Sequence, residues 1–334
     1  MGRLALVFAG QGAQKVGMGR DLCEHSVAAR AVFERAEAVF PGLSELCFDG
    51  PQDQLNQTIN TQPAVYVTDL ACAAALTEAG VTADGAAGFS LGEVAAACFA
   101  GVMSDWDGLA FVQRRAQAME ACGVKEPGTM VAVLGLGEEQ VEAVAASVDQ
   151  AWPVNYNCPG QIAVGCAVSS VGALQQSVVA AGGKAMRLPV SGAFHTPMMD
   201  AAADELASWV TEMTIAAPQI PLYANLTASP YGDPASLLTQ QVNHPVRWQD
   251  SIEAMVAAGF DRFVEVGPGT TLSGFIRRID SSVTVLNVAD SASLAKTLEA
   301  IGPSSGATSN PSSGGAPNPS SCAQSQDLPK ARNV

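Results

Sequence analysis

One pentapeptide, at residues 88–92, has the form G-x-S-x-G. It lies between a short apolar run at residues 86–89 and an alanine-rich run at residues 93–100, so the sequence predicts a strand, a tight turn and a helix. In such a turn the hydroxyl of Ser90 projects above the sheet. The next amide, that of Leu91, points to the place where a carbonyl oxygen would become an anion. Ser90 is therefore a candidate nucleophile.

A serine nucleophile needs a base, and the sequence contains three histidines, His25, His195 and His244. His25 lies in a predicted polar surface helix, and His244 precedes a proline in a loop. His195 lies in a loop, residues 191–197, that is rich in Gly, Ser and Pro, and functional residues often gather in such loops. The sequence favours His195 as the base. A purely structural histidine is the alternative.

A helix predicted over residues 105–122 contains two adjacent arginines. Consecutive residues differ by about 100° around a helix axis, so Arg114 and Arg115 face different directions. Arg115 is four residues from both Phe111 and Met119 and therefore lies at the edge of the apolar face. It is the better candidate to point inward, although spacing alone also allows a snorkelling side chain on the helix flank.

A glycine-rich loop containing Gln11 follows the apolar run at residues 4–8. The phosphate-binding pattern G-x-G-x-x-G fails here because position 15 is lysine, and no G-K-[ST] follows. We therefore predict no nucleotide cofactor. The glycines instead allow the backbone and Gln11 to approach a ligand closely.

Composition excludes several classes of protein. With 48% hydrophobic residues, the 334-residue chain has enough apolar material for a sizeable core, and its net charge of −15 argues against nucleic acid as a partner. No apolar run approaches the roughly 18 residues of a membrane span, and the first apolar run is too short for a signal peptide. We expect a cytoplasmic protein that does not enter a membrane.

The cysteines form no C-x-x-C pair, and most lie in apolar stretches. This favours reduced core residues over a disulfide framework or a metal site. The eight positions are 23, 47, 72, 98, 122, 158, 166 and 322.

The pattern of elements changes over residues 128–189. Strands and helices follow there in the order β-α-β-β-α-β, which is the ferredoxin-like arrangement and is complete within about 60 residues. The sequence therefore predicts a small domain inserted into a larger one. From residue 302 onward Ser, Pro, Gly and Asn dominate, which predicts a disordered tail.

Seven motifs, taken in order, resemble those of the malonyl-CoA:acyl carrier protein transacylases of dissociated fatty acid synthesis, over about residues 3–300. They lie at residues 8–14, 88–93, 113–115, 157–161, 192–195, 243–248 and 265–269. The resemblance implies an α/β fold.

In that fold, residues 1–126 and 191–301 form an α/β-hydrolase-like core with a parallel sheet. Residues 127–190 form the ferredoxin-like insert, and residues 302–334 the tail. The resemblance places the active site in the gorge between core and insert.

The resemblance also implies roles for the candidate residues. Ser90 corresponds to the nucleophile and His195 to the general base and acid. Gln11 and the Leu91 amide correspond to the oxyanion hole. Arg115 corresponds to the arginine that forms a two-point ion pair with the malonyl carboxylate, which suits a planar guanidinium.

Four further positions match the family less directly. Gln241 corresponds to a glutamine whose backbone carbonyl orients the catalytic histidine. Phe194 corresponds to a phenylalanine associated with malonyl rather than bulkier methylmalonyl units, and Asn157 to a position near the gorge. Phe89 is a departure, because the family usually has histidine before the serine, so the shape of the acyl pocket and its access to solvent should differ here.

The resemblance implies ping-pong transfer of a malonyl group from malonyl-CoA to holo acyl carrier protein, without metal or cofactor, by a monomer. A polyketide-type acyltransferase and a serine thioesterase or hydrolase with the same Ser–His pair are alternatives, and a non-catalytic docking module is a third. CoA and acyl carrier protein are both anionic, so a local basic patch should offset the overall negative charge of this protein. Basic residues scattered over the surface without forming a patch are the alternative. Candidates for the patch are Lys184, Arg187, Arg247, Arg277 and Arg278.

Overall fold

The computed structural model describes residues 2–302 of the chain, which form two β-sheets and the helices that cover them. The strands are β1 Arg3–Phe8, β2 Gly85–Gly88, β3 Gly128–Leu134, β4 Ala151–Cys158, β5 Gln161–Ala167, β6 Lys184–Arg187, β7 Leu222–Tyr223, β8 Phe260–Val266 and β9 Thr284–Val288.

The helices precede, separate and follow these strands. They are α1 Arg20–His25, α2 Val27–Val39, α3 Leu43–Asp49, α4 Gln52–Leu55, α5 Thr58–Glu78, α6 Leu91–Phe99, α7 Asp105–Lys125, α8 Glu138–Ala146, α9 Val171–Ala180, α10 Asp200–Val210, α11 Pro234–Gln240, α12 Trp248–Ala257, α13 Thr271–Ile279 and α14 Ser291–Ile301.

The main sheet is parallel throughout, with the strand order β7-β2-β1-β8-β9. Strand β1 lies at its centre and is buried on both faces, which explains its unbroken apolar sequence. Leu6 and Phe8 join the core that contains α5, α6 and α7. Ala5 and Val7 join the opposite core, with α12 and α13.

The second sheet is antiparallel, with the order β4-β5-β3-β6, and α8 and α9 cover one of its faces. This is the ferredoxin-like topology. The face under α8 and α9 has its own apolar core, which includes Val131, Val141 and Val178. Met130 and Ala163 belong instead to the main core. The second sheet is thus fixed against the first by side chains that alternate along its strands.

The predicted fold class is confirmed: the structure is α/β, with a parallel sheet and a separate antiparallel sheet. The strand expected at about residues 220–225 is only two residues long, because the chain turns back after Tyr223 and Tyr231 pairs with Leu222. The exact domain boundaries stay a prediction. The predicted tail lies outside the described residues except for Gly302.

Seven cysteines within the described part of the chain are free and buried, as expected for core residues. Cys322 lies outside that part. Within residues 2–302, no helix has the length and apolar character needed to cross a bilayer.

Helix α6 approaches β1 so closely that only glycine fits at the second position of the helix. A Cβ on Gly92 would lie 2.2 Å from the carbonyl oxygen of Phe8 and 2.5 Å from that of Ala9. Both are backbone atoms of the central strand and cannot turn aside as a flexible side chain could. Glycine at position 92 therefore lets α6 lie close to the sheet. Ser90, which directly precedes α6, is held close to the sheet as a result.

We predict that Gly92→Ala lowers the free energy of unfolding by about 1–3 kcal/mol, because the added methyl forces α6 away from β1. Gly172→Ala is the matched control. Gly172 also lies in a helix, α9, but its Cβ would meet nothing within 4 Å, so alanine should leave stability unchanged or raise it by up to about 1 kcal/mol. Chemical denaturation measures both; equal effects of the two variants would contradict the steric argument.

Candidate active site

Ser90 lies between β2 and α6 with φ 52° and ψ −105°, a backbone conformation that side-chain-bearing residues rarely adopt. Such a conformation costs on the order of 1–3 kcal/mol and persists only where neighbouring groups hold it. Here the Ser90 amide donates to Oδ1 of Asn225 at 2.7 Å, and Nδ2 of Asn225 donates to the carbonyl of Gly88 at 2.6 Å. One buried amide side chain thus fixes both sides of the turn.

His195 meets Ser90 from the loop that follows the insert. Its Nε2 lies 2.7 Å from Oγ of Ser90, and its backbone is also left-handed, with φ 65°. Its Nδ1 lies 2.9 Å from the carbonyl oxygen of Gln241 and 3.1 Å from that of His244. Carbonyl oxygens only accept hydrogen bonds, so Nδ1 bears the proton and Nε2 accepts from the Ser90 hydroxyl.

The imidazole is almost entirely buried. Burial, followed by the positive charge of Arg115, lowers the pKa of His195 from 6.5 to about 4, and the two carbonyl contacts only partly oppose this. The ring is therefore neutral near pH 7. It can accept a proton from Ser90 over the whole physiological range.

Arg115 points inward from α7 and is 1% exposed, which settles the orientation that the sequence left open. Its Nη1 donates to Oε1 of Gln62 at 2.8 Å. Its Nη2 donates to Oγ of Ser90 at 3.1 Å and to Oε1 of Gln241 at 2.8 Å. Burial lowers the pKa of Arg115 to about 10, so the guanidinium remains charged at neutral pH. The adjacent Arg114 is exposed and pairs with Glu205.

Gln241 contacts four other polar residues of the site: Ser90, His195, Arg115 and Glu93. Its backbone carbonyl meets His195, as the resemblance implies, while its side-chain Nε2 donates to the carbonyl of Ser90 at 2.7 Å and to Oε2 of Glu93. Burial raises the pKa of Glu93 to about 7, against the hydrogen bonds from Tyr231, Gln241 and Asn225 and the charge of Arg115, which lower it.

The backbone amides of Leu91, directly after Ser90, and of Gln11, in the loop after β1, have no acceptor among the described residues. The Leu91 amide is the first of α6, and the initial amides of a helix have no partner within it. Unpaired amides at a helix N-terminus suit an oxyanion. The predicted oxyanion hole is thus compatible with the hydrogen bonding, and its assignment stays a proposal.

A cavity of about 260 Å³ opens between the two sheets, slightly smaller than the roughly 300–1,000 Å³ typical of small-ligand sites. The core contributes Gln11 and Phe89 to its walls, and the insert contributes Asn155 and Asn157. The side-chain oxygens of both asparagines are buried without a hydrogen-bond partner within residues 2–302. Each oxygen thus has unused capacity to accept a hydrogen bond beside the cavity.

The two predicted phenylalanines occupy different places. Phe89 lines the cavity and packs its ring against Trp248 and Phe275, with centroid distances of 5.6 and 6.3 Å. Phe194 is buried in the main core beside His195 and does not contribute to the cavity wall. The predicted influence of both residues on acyl selectivity stays a prediction.

Sequence reasoning missed three buried residues of the site, Gln62, Glu93 and Asn225. Each lies within or next to an apolar run, and a polar side chain in such a run needs a partner when it is buried. That signal marks Glu93 within the alanine-rich helix and Gln62 before Pro63 in α5. It marks Asn225 only weakly, because the strand that precedes it is two residues long.

A nucleophile, a neutral base, two unpaired amides and a buried cation are the groups needed to transfer an acyl group that bears an anionic substituent. Residues 5–302 match the model of the protein family described as "Acyl transferase domain". A malonyl CoA-acyl carrier protein transacylase of Bacillus subtilis strain 168 is 33% identical over 310 residues, which are 90% of this chain and 98% of the relative.

Solved structures agree with that match. The crystal structure of a malonyl CoA-acyl carrier protein transacylase from Clostridium perfringens has a TM-score of 0.86 at 37% identity and covers 90% of this chain and 97% of its own. A malonyl-transacylase solved in complex with its type II PKS acyl-carrier protein has a TM-score of 0.86 at 32% identity. It covers 89% of this chain and 99% of its own.

The lowered pKa of His195 predicts the pH dependence of Ser90 reactivity. Only the neutral imidazole accepts the serine proton, so the rate of modification by an uncharged phosphonofluoridate should stay level from about pH 8 to about pH 5 and fall towards pH 4. This probe has no carboxylate and does not depend on Arg115 for binding. Stopped-time mass spectrometry measures the rate, with circular dichroism at each pH to verify folding; a decline centred near pH 6.5 would contradict the assignment.

Proposed function

The chain belongs to the acyl transferase domain family, and on that premise we propose that it transfers a malonyl group from malonyl-CoA to the phosphopantetheine thiol of an acyl carrier protein. The observation that supports this most directly is the buried guanidinium of Arg115, 3.1 Å from the hydroxyl oxygen of Ser90. A cation at that distance suits an acyl group with a free carboxylate close to the reacting carbonyl.

The first half of the reaction forms a malonyl ester on Ser90. His195 Nε2 takes the hydroxyl proton as Oγ attacks the thioester carbonyl, and the oxyanion develops against the amides of Leu91 and Gln11. The carbon–sulfur bond then breaks, and CoA leaves as a thiol with the proton from the imidazolium.

The second half reverses these steps with the carrier protein. His195 takes the proton of the phosphopantetheine thiol, and the sulfur attacks the ester carbonyl of malonyl-Ser90. The carbon–oxygen bond breaks, and the imidazolium returns its proton to Oγ of Ser90. One site thus serves two large thiols in turn, because the covalent ester holds the malonyl group between them.

Arg115 would bind the malonyl carboxylate through two parallel hydrogen bonds. In the structure its Nη1 and Nη2 donate to the neutral amide oxygens of Gln62 and Gln241. A carboxylate is a stronger acceptor than an amide oxygen and would replace one or both. The Nε of Arg115 is buried without a partner among the described residues and offers a further donor.

The cavity between the sheets suits the arm that both thiol substrates share. Pantetheine contains amide N–H groups, and the unpartnered oxygens of Asn155 and Asn157 would accept from them. Both residues line the cavity, although a bulge in β4 between Tyr156 and Cys158 interrupts the alternation of side chains there. Asn157 is therefore proposed to bind substrate.

Two exposed basic residues at the edge of the insert support the prediction of a basic patch for the acidic carrier protein. Lys184 and Arg187 on β6 are exposed, and neither has an acidic partner within residues 2–302. Arg247 instead pairs with Asp250, and Arg278 donates to Gln161 and to a nearby carbonyl. We infer that Lys184 and Arg187 contact the carrier protein.

The chain would act as a monomer in the cytoplasm. A hydrolase with water as the acceptor would use the same Ser–His pair, but it would have no use for a buried arginine. A carrier protein of polyketide rather than fatty acid synthesis would change the partner and not the chemistry.

We predict that Arg115→Gln lowers the preference for malonyl-CoA over acetyl-CoA on the order of 100-fold, because it removes the charged partner of the carboxylate. The measurement is the rate of Ser90 acylation by each donor. Arg114→Gln is the matched control: it removes an exposed ion pair with Glu205 and should leave the ratio unchanged. An unchanged ratio in Arg115→Gln would overturn the role of this residue.

A further inference from the structure

Arg115 is a buried cation without a direct counter-ion. It is 1% exposed, and none of the ion pairs within residues 2–302 includes it. A buried guanidinium without compensation is strongly unfavourable. The one acidic group that favours its charged form is Glu93, itself 1% exposed.

Glu93 reaches Arg115 through a single side chain, that of Gln241. Oε2 of Glu93 accepts from Nε2 of Gln241, and Oε1 of the same glutamine accepts from Nη2 of Arg115 at 2.8 Å. The carboxylate, the amide and the guanidinium form a chain in which each hydrogen bond orients the next.

Three donors converge on Glu93 and favour its ionised form, which predominates above the pKa of about 7 that burial gives this group. Its Oε1 accepts from the backbone amide of Asn225 at 3.1 Å and from the hydroxyl of Tyr231 at 2.5 Å, and Oε2 accepts from Gln241. A carboxylate accepts at both oxygens, whereas a carboxylic acid must place one hydrogen of its own. Asn225 and Gln241 are also the residues that fix the amide and the carbonyl of Ser90.

We propose that the ionised carboxylate of Glu93 is a positioning residue: through the Gln241 amide it supplies the buried counter-charge of Arg115, holds the guanidinium beside Ser90, and so sets the preference for donors with a free carboxylate. This inference rests on the proposed malonyl transfer. It adds to that function a residue that does not touch substrate.

The indirect arrangement has a chemical advantage. A carboxylate bonded directly to Arg115 would compete with the malonyl carboxylate for the same N–H groups. Through the amide, the cation keeps a compensating charge while its own ligands remain neutral oxygens that substrate can replace. Glu93 thus stabilises the buried cation without taking the place of the substrate carboxylate.

The variant Glu93→Gln tests this because it changes which groups donate and which accept hydrogen bonds around Gln241. If the new amide oxygen accepts from Asn225 and Tyr231, its NH2 group faces the NH2 group of Gln241, and two donors cannot bond to each other. The Gln241 amide must then turn or move, which takes its oxygen away from Arg115. Simple loss of a repelling negative charge predicts the opposite, a stronger attraction for malonyl-CoA.

The experiment compares the rates of Ser90 acylation by malonyl-CoA and acetyl-CoA at pH 8, in wild type, Glu93→Gln and Val94→Ala. We expect Glu93→Gln to lower the malonyl-to-acetyl ratio at least tenfold. Val94→Ala shortens a buried apolar side chain of the same helix and leaves the carboxylate and its three donors in place, so its ratio should match the wild type. General loosening of the site would lower both rates and leave the ratio unchanged, and that result, or a raised ratio, overturns the proposal.

Two further results distinguish failure of the Glu93 proposal from misfolding of the variant and from failure of the proposed function. If Glu93→Gln does not fold, Gln241→Met removes the linking amide with Glu93 in place, and the same fall in the ratio is expected; an unchanged ratio there would also refute the proposal. If the wild type itself shows no malonyl acylation of Ser90, the proposed function fails. A wild type that prefers malonyl-CoA, with a Glu93→Gln variant that prefers it equally, refutes the role of Glu93 alone.

Discussion

The left-handed backbone at Ser90 is the constraint on which the site depends. It places the serine hydroxyl 2.7 Å from His195 and at the same time leaves the Leu91 amide without an acceptor. The strain is held by the close approach of α6 to β1 and by the side chain of Asn225. His195 is also left-handed, so both members of the reacting pair have backbone conformations that isolated chains avoid.

Burial determines the electrostatics of the site. It keeps His195 neutral and leaves Arg115 with two glutamine oxygens as ligands instead of a carboxylate. A neutral base, His195, next to a cation, Arg115, suits the transfer of an acyl group that bears a carboxylate. The base is free to accept a proton, and the cation favours both the developing oxygen anion on Ser90 and a carboxylate on the substrate.

Much of the fold was predictable from the sequence, because apolar runs and glycine turns are local signals. The runs at β1 and β8 and the order of elements in the insert correspond to the structure within a few residues. The shortness of β7 and the hydrogen-bond partners of Gln62, Glu93 and Asn225 were not predictable, because they depend on contacts between segments more than 50 residues apart. Spacing left the direction of Arg115 open, and only packing decides it.

The most direct test is intact-protein mass spectrometry after brief incubation with malonyl-CoA, beside a Ser90→Ala variant, followed by addition of holo acyl carrier protein. We expect a malonyl adduct that requires Ser90, disappears when the carrier protein is added, and reappears as added mass on the carrier. Consumption of malonyl-CoA without any gain of mass on the carrier would contradict acyl transfer and indicate a hydrolase. An adduct that persists in Ser90→Ala would contradict the nucleophile itself.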